Sequence, residues 1–314
     1  MPSLPATDLI VGADGFLGRN LVNYLTARGR SVASIGRADG DLADWATVER
    51  LFSAWPKGTR IFHLVTRQRT GSIQHRIQGE LLAINARIHL NVLEAWRLHQ
   101  PQAKLVSTGS SCAYPESDQP LSEGAYGTGP LHPSVKGYGL AKQLLATGAQ
   151  AYADQYGLRH LHCVLATLYG PGDHREPDRS HFLGAMLDRA VREKRQGRTE
   201  FSVWGDPNAV REALYVDDQI SAILAADEHF ENQIVNCAAN TPITIGEAAR
   251  AICDVLDWRA PIVSPANSFQ GAQYKVLDSS LFLERTGWRP RYGLAEGLRR
   301  LYAIEYKNAD GGDA

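Results

Sequence analysis

The segment Gly12-Ala13-Asp14-Gly15-Phe16-Leu17-Gly18 constrains this chain more than any other, because an apolar run, Asp8 to Val11, leads into it and an amphipathic run leaves it. In the second run, Phe16, Leu17, Leu21, Tyr24 and Leu25 recur at helical spacing up to Ala27, and Gly29 stops the pattern. A strand that turns into a helix through three glycines suits one kind of ligand. The first glycine makes the tight turn, the second lets a pyrophosphate approach bare backbone, and the third lets helix and strand pack closely, with the phosphates at the helix N-terminus. Gly12, Gly15, Phe16, Leu17 and Gly18 are therefore expected to cradle a dinucleotide.

Further short apolar runs at 31–35, 60–65, 104–108 and 161–167 alternate with helical patterns near 43–54, 80–99 and 140–156. Strands separated by helices of this length require right-handed crossovers, so the expected fold is α/β: a doubly wound parallel-sheet (Rossmann) cofactor-binding domain over residues 1–167. Beyond Leu168 the texture changes. Pro171, Gly172 and Pro177 punctuate a loop, a charged helix is expected from His181 to Arg195, and Gly205, Asp206, Pro207 and Asn208 mark a turn. This second part, 168–314, reads as a smaller, mainly α substrate-binding domain. A segment at about 213–240 is expected to return to the first sheet as a helix, Leu214 to Asp227, and a strand, Gln233 to Ala238. The polar tail, Asn308 to Ala314, is expected to fray.

Lys and Arg number 33 against 34 Asp and Glu, a net charge of −1, which gives no electrostatic reason to expect nucleic acid or an anionic membrane as partner. Cys112, Cys163, Cys237 and Cys253 are too far apart for a C-x-x-C pair, so no metal site is expected and a reducing, cytoplasmic compartment is. Met1 to Thr7 shows no targeting signature, and no run of about 18 apolar residues occurs.

The end of the second strand separates the two nicotinamide cofactors, since a carboxylate there binds a ribose 2′-hydroxyl and a cation a 2′-phosphate. Here that strand runs into Ile35-Gly36-Arg37, which points to NADP(H), while Asp39 and Asp41 close behind keep NAD open. Tyr138 and Lys142 lie one helical turn apart on one face. An ammonium beside a phenol favours the phenolate, so the pair is expected to lower the Tyr138 pKa and supply a general acid/base for a carbonyl/alcohol couple. Ser110, just past the strand 104–108, sits where parallel sheets bind ligands and is placed to hydrogen-bond a substrate oxygen.

These motifs together resemble the extended short-chain dehydrogenase/reductase superfamily, and within it the GDP-L-fucose synthases. The family's S-S-C-x-Y-P is met by Ser110 to Pro115, and its N-L-Y-G-P-x-D by Thr167 to Asp173. Its S-H before an apolar helix is met by Ser180-His181, and its V-W-G and R-E-F-x-x-V-D-D by Val203 to Gly205 and Arg211 to Asp218. The resemblance implies an NADPH-dependent 3,5-epimerase/4-reductase of a nucleotide-linked 4-keto-6-deoxyhexose, GDP-4-keto-6-deoxy-D-mannose being converted to GDP-L-fucose, by a homodimer. It implies Cys112 as base and His181 as acid, with Tyr138, Lys142 and Ser110 polarising the 4-keto oxygen. It further assigns Trp204, Arg189, Arg211 and Lys275 to the nucleotide-diphosphate sugar. The chain departs from the family at Asp14, where the synthases carry an arginine, at Gly137 before the tyrosine, and at Gln273-Tyr274-Lys275, which replaces P-R-K. The alternatives are a reductase-only or epimerase-only enzyme on a related nucleotide-sugar, and a non-catalytic NADP-sensing protein, against which the intact Tyr138/Lys142 pair argues. A 4,6-dehydratase would need acid groups near Ser110 that Ser111-Cys112-Ala113 does not provide.

Overall fold

The apolar run ahead of the glycine turn forms a strand whose alternate side chains enter two different cores. The computed structural model describes residues 7–176, 178–265 and 272–307, so the polar tail from Asn308 lies outside the described residues. In chain order the first elements are β1 (Thr7–Val11), α1 (Phe16–Thr26), β2 (Ser31–Ile35), α2 (Trp45–Ala54), β3 (Arg60–His63), α3 (Gly71–Arg76), α4 (Gln78–His99), β4 (Lys104–Ser110), α5 (Lys136–Tyr156), β5 (His160–Leu165) and β6 (Thr167–Tyr169). There follow α6 (Phe182–Arg195), β7 (Phe201–Ser202), β8 (Val210–Tyr215), α7 (Val216–His229), β9 (Ile234–Cys237), β10 (Pro242–Thr244), α8 (Ile245–Val255), β11 (Ile262–Val263), β12 (Tyr274–Lys275), α9 (Ser280–Thr286) and α10 (Leu294–Tyr302).

Six parallel strands form one sheet in the order β2-β1-β3-β4-β5-β9. Successive side chains of a strand point to opposite faces, and the burial follows that rule. Leu9 and Val11 pack with Ile61, Leu105 and Trp96 on one face, and Ile10 with Phe62, Val106 and Leu21 on the other. Burying each of these side chains contributes about 1.5–3 kcal/mol, which is why a register slip of one residue is not tolerated. The chain moves from β1 out to β2 and then crosses to β3 on the other side. The order therefore reverses beside β1, and open α/β sheets bind ligands at the carboxyl ends of strands flanking such a reversal.

The second sheet runs β10-β8-β12, with β6 also paired to β8. A separate core, built from Leu183, Leu187, Phe201, Ala249, Ile252 and Leu298, joins α6, α8 and α10. The expected helix from Leu214 is corrected here: Leu214 and Tyr215 complete β8, and α7 starts only at Val216. Those two residues are buried beside β6 and so serve the sheet, although their apolar spacing also fits a helix. The strand expected near Gln233 to Ala238 is β9, at the edge of the six-stranded sheet. Helix α5 begins at Lys136, four residues before the expected start, so Tyr138 lies in its first turn.

Candidate active site

A cavity of about 750 Å³ opens at the carboxyl ends of β1, β3, β4 and β5 and reaches the start of α6. Gly12, Gly15, Phe16, Leu17, Gly18, Arg37, Ser110, Cys112, Tyr138, Lys142, His181, Arg211 and Lys275 all line it. Fold topology thus brings together residues that span most of the sequence.

At one end lies the glycine turn. Gly12 has φ +95°, and a Cβ there would fall 2.8 Å from Val65 Cγ2, while a Cβ on Gly18 would lie 2.0 Å from the Gly12 carbonyl oxygen. Gly12 and Ala13 donate to the Ile35 carbonyl at 2.9 and 3.0 Å, tying the turn to β2. Gly15 caps α1 with no side-chain hydrogen bond, so the helix presents bare N–H groups, suited to an anion. The cradle therefore fits a dinucleotide pyrophosphate. Beside it the Asp14 carboxylate accepts from the Arg37 backbone N–H at 2.9 Å and lies 3.9 Å from the Arg37 guanidinium. Asp39 is engaged locally, accepting from Gly36 N–H at 2.7 Å. Arg37 itself is largely exposed.

Near the middle, Lys142 is buried and donates to the Thr108 carbonyl at 2.8 Å. Burial lowers its pKa to about 7, which brings its proton exchange close to neutral pH. The expected lowering of Tyr138 by this lysine is corrected by the structure. The Lys142 nitrogen lies 5.9 Å from the centre of the phenol ring and bonds elsewhere, and burial pushes the phenol above its ordinary value, with Cys112 adding to the rise. The Ser110 and Thr66 hydroxyls bond to the phenol and oppose that rise. The turn carrying Cys112 packs tightly on α5. A Cβ on Gly139 would lie 2.3 Å from the Cys112 carbonyl oxygen, so this glycine is what lets the cysteine sit beside Tyr138. Cys112 is half-buried, its N–H donates to Ser110 Oγ at 3.2 Å, and Lys275 Nζ donates to its sulfur at 3.4 Å.

At the far side, His181 caps α6. Its N–H donates to Asp173 Oδ2 at 3.0 Å, its Nδ1 lies 2.8 Å from Asp173 Oδ1, and its ring packs against Phe16 at 5.5 Å between centroids. With Nδ1 bonded to a carboxylate, Nε2 is the free nitrogen for proton transfer. Arg189 and Trp204 are brought together but outside the cavity lining. The buried Arg189 donates to the Ser202 carbonyl, and its guanidinium stands 4.2 Å from the centre of the exposed Trp204 ring.

The sequence assigns no role to Thr66, Arg67, Arg69, His174 and Arg179, which all line the cavity, and shows Asp173 only as the last residue of the Thr167 to Asp173 motif. The position of Thr66 just after a parallel strand was an available signal. Asp173 meets His181 because its loop folds back onto the start of α6, a contact that the motif by itself does not announce. Among the described residues no cluster of His, Cys, Asp and Glu is placed to hold a metal, and no helix is long and apolar enough to cross a membrane.

The profile of the NAD dependent epimerase/dehydratase family matches residues 9–238. The chain belongs to that family. The probable GDP-L-fucose synthase 1 of Oryza sativa is 30% identical to it over 305 residues, covering 95% of this chain and 92% of the rice protein. Two solved structures of family-like fold superpose over nearly the whole chain. A GDP-6-OMe-4-keto-L-xylo-heptose reductase from C. jejuni gives a TM-score of 0.87 at 21% identity, covering 97% of this chain and 98% of its own. A GDP-L-fucose synthetase from Naegleria fowleri, bound to NADP, gives 0.86 at 20% identity, covering 97% and 94%. The glycine turn, Tyr138, Lys142 and Cys112 all lie inside the segment that the family profile matches.

Proposed function

We propose that the protein is an NADPH-dependent epimerase/reductase of a nucleotide-linked 4-keto-6-deoxyhexose, converting GDP-4-keto-6-deoxy-D-mannose to GDP-L-fucose. The observation that carries this is the sharing of one cavity by a thiol, an imidazole and a phenol/amine pair next to the glycine turn. Residues 1–167, with the returning segment at about 213–240, would hold the cofactor, and 168–314 the sugar nucleotide. NADPH, when bound, supplies a hydride to the sugar C4. Gly12, Gly15, Phe16, Leu17 and Gly18 would cradle it, with Arg37 at the 2′-phosphate.

Inverting C3 and C5 of a 4-ketosugar requires a base on one face and an acid on the other, with the enolate charge stabilised at O4. Cys112 takes the carbon-bound proton and His181, oriented by Asp173, returns one from the opposite face. Tyr138 and Ser110 hydrogen-bond O4 throughout, and Tyr138 protonates it at the end. Lys142, whose pKa burial lowers to about 7, replenishes that proton. Arg211 and Lys275 face the sugar end of the cavity, and Arg189 with Trp204 would meet the nucleotide beyond it. The free thiols of all four cysteines suit a reducing cytoplasm, and the resemblance to the GDP-L-fucose synthases implies a homodimer of twice the 34.4 kDa chain.

The test is turnover in heavy water. Product should carry deuterium at C3 and C5, and Cys112→Ala should cut that exchange by about 10² to 10⁴ while sparing reduction of an already epimerised ketone. Tyr138→Phe should lose hydride transfer most severely, with some exchange persisting through Ser110. If the unmodified protein reduces its 4-ketosugar with no deuterium at either carbon, a reductase-only function replaces this one.

A further inference from the structure

We propose that Lys275 is the positioning residue of Cys112: it holds the sulfur against the reacting carbons and pairs the charge of the thiolate. The inference rests on Cys112 as the base and gives Lys275 a task beyond the sugar-nucleotide contact.

The geometry begins with β12, a strand of two residues. It pairs in parallel with β8, so that Tyr274 stands beside Val210 and Lys275 beside Arg211. Register partners on neighbouring strands project from the same face, which puts both cations on one side of the sheet. The segment is tied on each flank: Val210 N–H donates to the Gln273 carbonyl at 2.8 Å, Leu121 N–H to the Val276 carbonyl at 2.9 Å, and Leu277 N–H to the buried Glu212 carboxylate at 3.2 Å. Lys275 therefore reaches Cys112 from a fixed base. Its Nζ donates to the sulfur at 3.4 Å.

The ionisable groups near Cys112 come from four parts of the chain. Lys275 on β12 bonds the sulfur, and Arg211 on β8, Tyr138 on α5 and Tyr126 in the connection between β4 and α5, whose hydroxyl bonds His162, are the other ionisable groups close enough to interact with it electrostatically. Burial pushes both phenols above their ordinary value, so neither carries charge at neutral pH. The charge presented to the sulfur is thus positive. A thiolate accepting from an ammonium is favoured over the thiol, and charge-assisted hydrogen bonds are about twice as strong as neutral ones. In the transfer, the sugar C–H bond breaks, its electron pair enters the enolate with the charge at O4, and the proton forms an S–H bond on Cys112. Lys275 keeps its own proton, so the ion pair becomes a neutral thiol beside an ammonium.

The other three cysteines are buried, so alkylation by neutral iodoacetamide reads Cys112, with Cys112→Ala as the blank. Lys275→Met should slow alkylation at pH 7 about tenfold and move the rate–pH curve upward, while Lys275→Arg keeps most of the rate. Lys275→Gln serves the same purpose if the methionine variant does not fold. An unchanged rate and an unchanged curve in either neutral variant overturn the proposal. Heavy-water turnover of the unmodified protein separates the two ideas. Normal exchange at C3 and C5 with unaltered alkylation in the variants leaves the epimerase function standing and removes Lys275. Slowed alkylation without any exchange keeps the Lys275–Cys112 pair and removes the epimerase function.

Discussion

At the scale of single residues, the site is a set of short polar contacts whose partners differ from those the spacing suggested. Asp173 is the clearest case. Its side chain is 6% exposed and bonds both the backbone and the ring of His181, fixing which imidazole nitrogen faces the cavity. Asp173→Asn keeps the shape but replaces a carboxylate acceptor by an amide that also donates, which allows the ring to turn over or change tautomer. We expect epimerisation, followed as deuterium entering at the inverted carbons, to fall about tenfold or more, within the range a positioned acid contributes. Reduction of a pre-epimerised ketone should change little, and equal loss of both would place Asp173 in general folding instead. The residues of this site were legible in the sequence where they sit in compact runs, as Ser110 to Cys112 and Tyr138 to Lys142 do. Their interactions were less so. The four-residue spacing of Tyr138 and Lys142 is real, but the lysine bonds the Thr108 carbonyl, a contact set by how α5 packs on β4.

At the scale of elements, the periodic ones were readable and the short ones were not. Strands β1 to β5 and helices α1, α2 and α4 follow from apolar spacing, whereas two-residue β12 has no period at all, and its register decides what Lys275 touches. The interior beneath the site was equally hidden. His63 on β3 contacts His89 on α4 at 2.9 Å, and His162 on β5 lies between Ser107 Oγ at 2.8 Å and the Tyr126 hydroxyl at 3.0 Å. All three are buried, and burial lowers His63 to about 3 and holds His89 and His162 well below the ordinary histidine value. The folded protein therefore refuses protons that the unfolded chain accepts near pH 6.5. Stability from this source is complete above about pH 6.5 and falls as pH drops toward 3, by up to about 1.4 kcal/mol per pH unit for each histidine. Asp8, Glu123 and Glu212, pushed up by burial, work in the opposite sense, because the folded state holds their protons to higher pH. Urea unfolding at several pH values between 8 and 5 should show the decline. His162→Asn should flatten its slope by the share of one proton whatever it does to absolute stability, and an unchanged slope would mean that His162 does not titrate on unfolding.

At the scale of the whole molecule, a nearly neutral chain concentrates cations where two cores meet. Arg37, Arg67, Arg69 and Arg179 all line the cavity, and Arg69 reaches Asp178 at 3.4 Å while Thr70 N–H donates to the Asp178 carbonyl at 2.8 Å, so the loop after β3 meets the loop before α6 across the opening. A net charge of −1 gave no hint of this, since it averages over faces that the fold separates. The cofactor preference follows from the same local field. The 2′-phosphate that distinguishes NADPH from NADH adds negative charge beside Arg37, but Asp14 stands there too and opposes it. A unit charge about 4 Å away in a solvated setting is worth on the order of 1 kcal/mol, so Asp14 offsets part of the attraction without cancelling a charge-assisted contact of about 1.5–3 kcal/mol. A ligand that binds only the folded state raises its melting temperature by mass action, by about 2.7 kcal/mol of stability at a hundred times Kd. NADPH should therefore raise the melting temperature further than NADH at equal concentration. Arg37→Ala should narrow the difference, and Asp14→Asn should widen it by about fivefold in relative affinity. Opposite responses of these two variants identify the pair as the place where the 2′-phosphate is read, whereas equal melting shifts for both cofactors in the unmodified protein would remove Arg37 from that role.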